Sequence, residues 1–273
     1  MPSSENDFAR QIHAAVAAGE SLLRIETDDP EDAFGSLEEI SKKHGWTYAT
    51  WDTVNGLVDT SGELVAIIDN NPNAVTGDPG GSRIRLGQAL AGLRQLLESR
   101  TEGNVDQKPK PVLLVIRNFP IAVAQSPEPL ITATEHIGAL GDRTHGHIVI
   151  VTPPKVKLPE PLDRAFFTIS QKLPQVDEVL QLMTERFDTE ALDPGKVKDA
   201  AKAVLGLTRR QITGAVAESL VRRKGFDRDF LWARKIAAIN TDGLVSVFEP
   251  DETFASIGGN KGDVVAPRAR ELA

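Results

Sequence analysis

The hydrophobic positions of the chain form short uninterrupted runs in its first part and a helical repeat in its last part. Two runs, at residues 111–118 and 147–152, are rich in valine and isoleucine, which predicts strands that are buried on both faces. Shorter runs at residues 21–27, 46–51 and 166–170 predict three further strands. Since these strands alternate with segments of helical periodicity, we predict a three-layer parallel α/β domain followed by a helical part.

Helices are predicted where apolar residues recur three and four positions apart. In the first part of the chain this spacing occurs at residues 8–18, 28–44 and 84–99, and one more helix separates the two central strands. After residue 174 the helical segments are residues 175–187, 194–204, 208–224 and 227–239. Residues 52–63 are predicted to be a loop, and residues 243–248 a last strand.

Composition and charge exclude several classes of protein. The chain has 273 residues, a formal net charge of −8 and no cysteine. The acidic balance argues against nucleic-acid binding, because affinity for the phosphate backbone comes from Lys and Arg. The absence of cysteine excludes disulfides and thiolate metal sites. The first residues are polar and acidic, unlike a signal peptide, and no apolar run approaches the ~20 residues of a membrane span. We therefore expect a cytoplasmic protein with neither nucleic-acid nor membrane partners.

Several segments, taken in order, resemble those of a known family. The strand landmarks are residues 22–31, 46–51, 112–119 and 147–154. Within residues 22–31, the strand is connected to the following helix by acidic residues. Residues 206–212, Gly-Leu-Thr-Arg-Arg-Gln-Ile, are similar to the lid signature of AAA+ proteins, and residues 252–259 are similar to the stretch before a second AAA+ domain. Together they resemble the N-terminal, degenerate half of the AAA+ ATPase family first noted as a conserved open reading frame of algal plastids and cyanobacteria.

The resemblance implies a P-loop-NTPase-like (AAA+) core with a parallel sheet in three layers, followed by a helical lid. In that family the N-terminal domain is degenerate, and the second domain carries the nucleotide chemistry. The implied parts are an N-terminal helix at residues 1–19, a degenerate core at 20–174, a lid at 175–240 and a connector toward a missing second AAA+ domain at 241–273.

Nucleotide hydrolysis needs parts that this sequence does not contain. A P-loop requires Gly-x-x-x-x-Gly-Lys-Ser/Thr, but valine follows Gly195-Lys196, and the glycine cluster at residues 77–81 has no lysine. Where the family places paired acids after the third strand, this chain has Arg117-Asn118. An arginine repels a metal ion and asparagine is a poor general base. We therefore expect no metal site and no cofactor, with ATP and Mg²⁺ bound only if a downstream domain or a partner supplies the P-loop.

Four residues remain as nucleotide-related candidates because the resemblance places them near the family's functional positions. Asn118 ends the third strand, and its structural alternative is the end of that strand before Phe119-Pro120. Thr152 lies where AAA+ proteins sense the γ-phosphate, or it is only a hydroxyl at a strand end. Arg164 lies in the segment that supplies an arginine to a neighbour's nucleotide, or it forms a surface salt bridge. Arg209 lies near the sensing arginine of the lid, or it is a surface residue at a helix start.

Two further groups of polar residues have simpler interpretations. His145-Gly146-His147 has no carboxylate cluster nearby and is predicted to be a loop. The basic residues at 222–224 lie at a helix end, where they complement the helix dipole or offer a docking patch for an acidic partner.

We therefore expect a non-catalytic interaction or assembly module with a regulatory or oligomerisation role. Its partner would be a second copy of itself or an AAA+ protein. The alternative is the N-terminal piece of a split or truncated AAA+ ATPase whose hydrolysis resides in a separate P-loop domain. A small-molecule site at the carboxyl ends of the strands stays open by analogy of fold.

Overall fold

A computed structural model of the protein describes residues 7–59, 62, 64, 66, 85–102, 109–125, 127–187 and 193–241. Its strands are β1 (Leu22–Glu26), β2 (Thr47–Asp52), β3 (Gly56–Asp59), β4 (Val112–Ile116), β5 (Gly146–Thr152) and β6 (Phe167–Ser170). Its helices are α1 (Asp7–Ala18), α2 (Pro30–His44), α3 (Leu86–Glu102), α4 (Phe119–Gln125), α5 (Pro127–Thr144), α6 (Glu160–Ala165), α7 (Val176–Arg186), α8 (Pro194–Ala203), α9 (Arg209–Arg223) and α10 (Arg228–Thr241). The strand predicted at residues 243–248 lies outside the described residues.

The strands of the described residues form one sheet in the order β3-β2-β4-β5-β1-β6. Strand β2 pairs with β3 antiparallel, and the other pairings are parallel. Strands β4 and β5 lie at the centre of the sheet, where both faces of a strand are covered. The uninterrupted apolar runs of the sequence predicted this position, and the mixed α/β sheet is confirmed.

Helices cover both faces of this sheet and make three layers. Along β4 the side chains alternate: Leu113 and Val115 belong to an apolar core shared with α1 and α2. Val112, Leu114 and Ile116 belong to a second core shared with α3, α4 and α5. Burial of these two apolar faces is the main favourable contribution to folding of the sheet.

The segment predicted to be a loop at residues 52–63 contains strand β3, so that prediction was wrong. Strands β2 and β3 form a hairpin through residues 53–55, which ends at Asn55-Gly56, a dipeptide typical of hairpin turns. Gly56 has φ +71°, which glycine adopts without steric cost. The Asp52 carboxylate accepts hydrogen bonds from the amides of Val54 at 2.7 Å and Asn55 at 2.6 Å. Burial acts to raise the pKa of Asp52, but hydrogen bonds from Asn55 and Val54 hold it below its ordinary value.

The helices follow the predictions with two exceptions. The single helix predicted between the central strands is two, α4 and α5, and the short helix α6 after β5 was not predicted. Helix α2 ends at Gly45, whose φ of +67° lets its amide reach the carbonyls of Ser41 and Lys42. No helix within the described residues is long and apolar enough to cross a membrane.

The chain divides into two compact units, Met1–Pro174 with Thr208–Arg210, and Gln175–Leu207 with Gln211–Ala273. In the second unit the described residues are helical, and α7 to α10 agree with the predicted segments to within two residues at each end. Helix α7 begins with a capping box between Gln175 and Glu178. The second unit has an apolar core of its own, which includes Met183, Val204 and Leu231.

Gly146 and His147 are buried at the start of β5, so the loop predicted for residues 145–147 was wrong at both positions, whereas the strand predicted from His147 onward was right. A side chain at position 146 would overlap Leu97 of helix α3, which explains the glycine. His147 is fully buried, and its Nδ1 donates a hydrogen bond to the Glu20 carbonyl at 2.7 Å. Its Nε2 has no hydrogen-bond partner among the described residues. Burial lowers the pKa of His147 to about 4, so the ring is neutral at physiological pH.

The buried imidazole should make the stability of the protein depend on pH. Between pH 6.5 and about 4 the unfolded chain binds a proton at His147 and the folded chain does not. The free energy of unfolding therefore falls as the pH falls through this window, by up to about 3 kcal/mol. Urea unfolding of His147→Leu should lack this part of the slope, whereas His136→Leu, at an exposed histidine, should keep it. An equal dependence of the unfolding free energy on pH in the parent and in both variants would contradict the prediction.

Candidate functional site

The candidate site is the carboxyl edge of the parallel strands, where α/β proteins of this kind bind ligands. Strands β1, β4 and β5 end there at Glu26, Ile116 and Thr152. Helix α2 follows β1 and helix α4 follows β4, so both helices start at this edge. Their first turns and the strand ends contain the residues whose chemistry decides what this edge can bind.

The connection from β1 to α2 consists of residues 27–29. Thr27 Oγ1 accepts a hydrogen bond from the Asp29 amide at 2.9 Å and donates one to Gln171 Oε1 at 2.7 Å. Asp29 is the N-cap residue of α2, and Pro30 begins the helix. A turn of this length is fixed by its own hydrogen bonds, and it has no glycines whose amides could surround a phosphate.

Acidic residues lie in the first turn of α2 and directly before it, at the helix end that attracts anions. Asp28 and Asp29 precede the helix, and Glu31 and Asp32 lie in its first turn. The positive end of a helix dipole attracts anions, and here the protein supplies the negative charge itself. The negative charge of these residues would repel a nucleotide phosphate brought to the start of the helix.

Three of these carboxylates, Asp29, Glu31 and Asp32, have cationic or amide partners within the first unit, and Asp29 accepts a hydrogen bond from the Arg210 amide at 3.2 Å. Asp32 accepts a hydrogen bond from Gln171 Nε2 at 2.7 Å. Arg209, one of the predicted candidates, belongs to the first unit. Its Nε lies 3.2 Å from Oδ2 of Asp32. Arg209 is therefore paired with a protein carboxylate at the start of α2.

Arg117 follows β4 and covers the start of α2. Its guanidinium donates hydrogen bonds to both oxygens of Glu31, at 2.7 and 3.5 Å. The same group lies 3.7 Å from the centre of the Phe34 ring, a cation–π contact. The position where paired acids were expected in the family thus carries a cation that is already bound to the protein.

Asn118, the next candidate, acts through its backbone. It has φ +56°, a conformation that asparagine tolerates better than most residues. Its carbonyl accepts hydrogen bonds from the amides of Ile121 at 3.0 Å and Ala122 at 3.2 Å. Asn118 therefore starts helix α4, which refines the interpretation of this residue as the end of the strand.

Thr152, at the end of β5, is buried beside an arginine that the sequence analysis did not single out. Its hydroxyl accepts a hydrogen bond from Arg24 Nε at 3.2 Å. Arg24 is itself buried, in the middle of β1. Its guanidinium contacts Asp163 Oδ1 at 3.0 Å, Glu26 Oε1 at 2.9 Å and the Val156 carbonyl. Arg24 thus joins β1 and β5 to α6 and to the segment before it.

Arg164 lies next to this cluster and points away from it. Its guanidinium pairs with Glu160 at 2.8 Å, and both side chains are about four-fifths exposed, at 81% and 79%. The sequence analysis gave such a surface salt bridge as the alternative role of Arg164. A pair of this kind contributes little to stability. An exposed arginine of this kind remains accessible to a neighbouring chain.

The four predicted candidates therefore do not converge on one ligand. Thr152 is bound to Arg24, Arg209 to Asp32, and Asn118 starts a helix, whereas Arg164 is exposed.

Arg24 is the residue that the sequence analysis missed. The sequence carried one signal for it, because Arg24 is a charge inside the apolar run Leu22-Leu23-Arg24-Ile25. The part of the chain that the structure describes contains no group of three or more histidine or acidic side chains that could hold a metal ion.

Comparison with known families gives one match, which lies within the first unit. The family model described as "SpoVK-like AAA ATPase, N-terminal domain" matches residues 8–170, which run from α1 to β6. The curated proteins contain no match to the chain.

Solved structures of AAA proteins show a distant likeness. Rhizobiales Trip13 is 11% identical, with a TM-score of 0.49 over 91% of this chain and 85% of that chain. The FIGL-1 AAA domain in complex with ADP is 10% identical, with a TM-score of 0.48 over 98% and 90%. A chain of the E. coli MS115-1 HORMA:CdnC:Trip13 complex is 10% identical, with a TM-score of 0.46 over 90% and 80%. At these scores the family assignment depends on the sequence match alone.

Replacing Arg24 should destabilise the first unit. Arg24→Met leaves Glu26, Asp163 and a carbonyl without their buried partner, and we expect the free energy of unfolding to fall by roughly 2–4 kcal/mol. Arg24→Lys should recover only part of it, because an ammonium cannot reproduce the forked contacts. The matched control is Arg164→Met, which removes a charge from an exposed pair and should cost less than about 0.5 kcal/mol. Urea unfolding measures all three, and an Arg24→Met protein as stable as the parent would refute this role.

Proposed function

The chain belongs to the family of SpoVK-like AAA ATPase N-terminal domains, and we propose that it is a non-catalytic interaction and assembly module of the AAA+ type. It would associate with copies of itself or with an AAA+ partner protein. In this proposal residues 175–240 act as a lid-like helical part, and ATP and Mg²⁺ do not bind to this chain on its own.

The observation that carries the proposal is the start of helix α2. Four carboxylates lie at or beside its first turn, and Arg117 is bound to one of them, Glu31, and stacked on Phe34. Nucleotide binding at a helix start needs backbone amides and cations that are free for the phosphates. Here the negative charge is already present and the nearest cation is already paired.

The ends of the other strands support the same conclusion. Hydrolysis of a nucleotide needs an anionic metal ligand and a group that orients the attacking water. Arg117 and Asn118 occupy the end of β4, and neither provides an anionic metal ligand. The hydroxyl of Thr152 accepts its hydrogen bond from buried Arg24, inside the protein. The polar groups of this edge therefore stabilise the fold and leave little to act on a substrate.

The surface near α6 and β6 supports an assembly role. Strand β6 is an edge strand of the sheet, and Phe167 in it is 47% exposed. Arg164 lies three residues earlier on α6 and is more exposed still. Aromatic residues and arginines are both enriched at protein interfaces. An arginine that acts on a neighbour's nucleotide needs no P-loop in its own chain.

The second candidate function is the N-terminal piece of a longer AAA+ ATPase. The family description favours it, because the matched domain is by definition the N-terminal domain of an ATPase. In that case the P-loop would lie in a separate domain, and Arg164 would act on the nucleotide that this domain binds.

Calorimetric titration with ATP and with ADP in the presence of Mg²⁺, together with light scattering in the same buffer, tests the first proposal. We expect no heat up to about 1 mM nucleotide and a defined mass above that of a monomer. Arg117→Ala, which removes the cation bound to Glu31, should also give no heat, because the phosphate cradle is still missing. Mg²⁺-dependent binding by the parent or by this variant would overturn the proposal. A strictly monomeric chain would exclude self-association and leave only the AAA+ partner protein.

The role of Arg164 can be tested with a P-loop AAA+ domain encoded directly downstream, expressed together with this chain. If Arg164 acts on the nucleotide of that domain, Arg164→Ala should lower ATP turnover at least about a hundredfold, since arginine fingers contribute 10³–10⁵ in kcat. Lys172→Ala removes a charge from another exposed position of the first unit and should leave turnover unchanged. Unchanged turnover in Arg164→Ala would show that this arginine is a surface residue only.

A further inference from the structure

The second unit contains a cleft with a concentration of positive charge. Its volume is about 500 Å³, and it lies between the start of α8, the end of α9 and the start of α10. Lys196, Arg223, Lys224 and Arg228 line it, together with two carboxylates. A cleft of this size fits a small ligand, and its lining belongs entirely to the second unit.

Most of this positive charge is not neutralised by the protein. Arg223 lies 3.9 Å from Asp227, a long contact for an ion pair. Lys196, Lys224 and Arg228 are exposed, and none of them forms an ion pair with another described residue. Lys196 and Arg228 also lie in the first turns of α8 and α10, where the helix dipole disfavours cations. An anion in the cleft would reduce the repulsion among these cations and the repulsion between them and the positive ends of the two helix dipoles.

The floor of the cleft is held in place by a buried hydroxyl. Ser219 Oγ donates a hydrogen bond to the Gly225 carbonyl at 2.7 Å and accepts one from the Asp227 amide at 3.0 Å. Ser219 is fully buried, and Phe226 beside it is buried as well. Lys224 begins this segment with φ +55°. The loop between α9 and α10 is therefore ordered before any ligand arrives, which reduces the entropy lost on binding.

We propose that this cleft binds a small phosphate ester. Four cations and two carboxylates, Asp199 and Asp227, line it, so its net charge is +2. A phosphate monoester carries a charge of about −1.5 to −2 near pH 7, which matches this excess better than a single carboxylate does. The proposal does not depend on the absence of nucleotide chemistry in the first unit, because no residue of the carboxyl edge takes part.

The test is a titration of the ¹⁵N-labelled full chain with glycerol 2-phosphate, followed by amide resonances at constant ionic strength and pH 7.5. We expect saturable shifts of residues 224–228 and of Lys196, with a Kd of about 1 mM or tighter. The double variant Lys196→Gln with Arg228→Gln should weaken binding at least about tenfold. The matched control, Lys202→Gln with Arg222→Gln, removes the same charge from α8 and α9 at exposed positions outside the cleft and should bind as the parent does.

Three results would overturn the proposal. One is the absence of saturable shifts at these residues, and another is an equal loss of affinity in both double variants, which would indicate general attraction to the surface. The third is equal shifts with sodium acetate at the same concentration, which would show that the cleft does not select a phosphate dianion. Lys224→Gln provides a second check, since it should weaken binding without removing a charge from a helix.

Discussion

The positive end of helix α2 is the constraint on which the carboxyl edge of the sheet depends. Parallel strand order places this helix start directly after β1, at the point where an anionic ligand would be most strongly attracted. The chain puts Asp28, Asp29, Glu31 and Asp32 there instead. Once those charges are present, the neighbouring cations must pair with them, and Arg117 and Arg209 do so. The edge is therefore stabilised by contacts within the protein, and no external anion is required to balance it.

Buried Arg24 likewise stabilises this part of the sheet through contacts within the protein. A guanidinium inside a sheet is costly unless its donors are all used, and here they contact a hydroxyl, two carboxylates and a carbonyl. Because those partners belong to β5, β1, α6 and the segment before α6, the arginine fixes α6 against the sheet. Asp163, one of the partners of Arg24, directly precedes Arg164. The buried cluster therefore also anchors the helix that carries this exposed arginine.

The sequence predicted the layers well, because they depend on apolar periodicity, and it predicted the polar contacts poorly, because those depend on distance in space. The central strands and the helices of both units follow from runs and spacing of apolar residues. The hairpin strand β3 was missed although Asn55-Gly56 favours a turn there, since its few apolar residues give no clear alternation. The hydrogen bond of His147 could not be predicted, because its partner, the carbonyl of Glu20, lies more than 100 residues away in the chain. Arg24 could have been noticed as a charge within an apolar strand, but its partners lie far along the chain.

These contacts together narrow the kinds of function that the first unit can perform. The side chains of Thr152 and Arg209 are each bound within the protein, so a substrate at the carboxyl edge would have to break an existing contact to engage them. Asn118 is bound through its backbone carbonyl, at the start of α4. Arg164 and Phe167 differ, because a neighbouring chain can reach both without breaking more than one weak surface pair. The proposed assembly role therefore depends on α6 and β6, where contact with another chain would disturb only one weak surface pair.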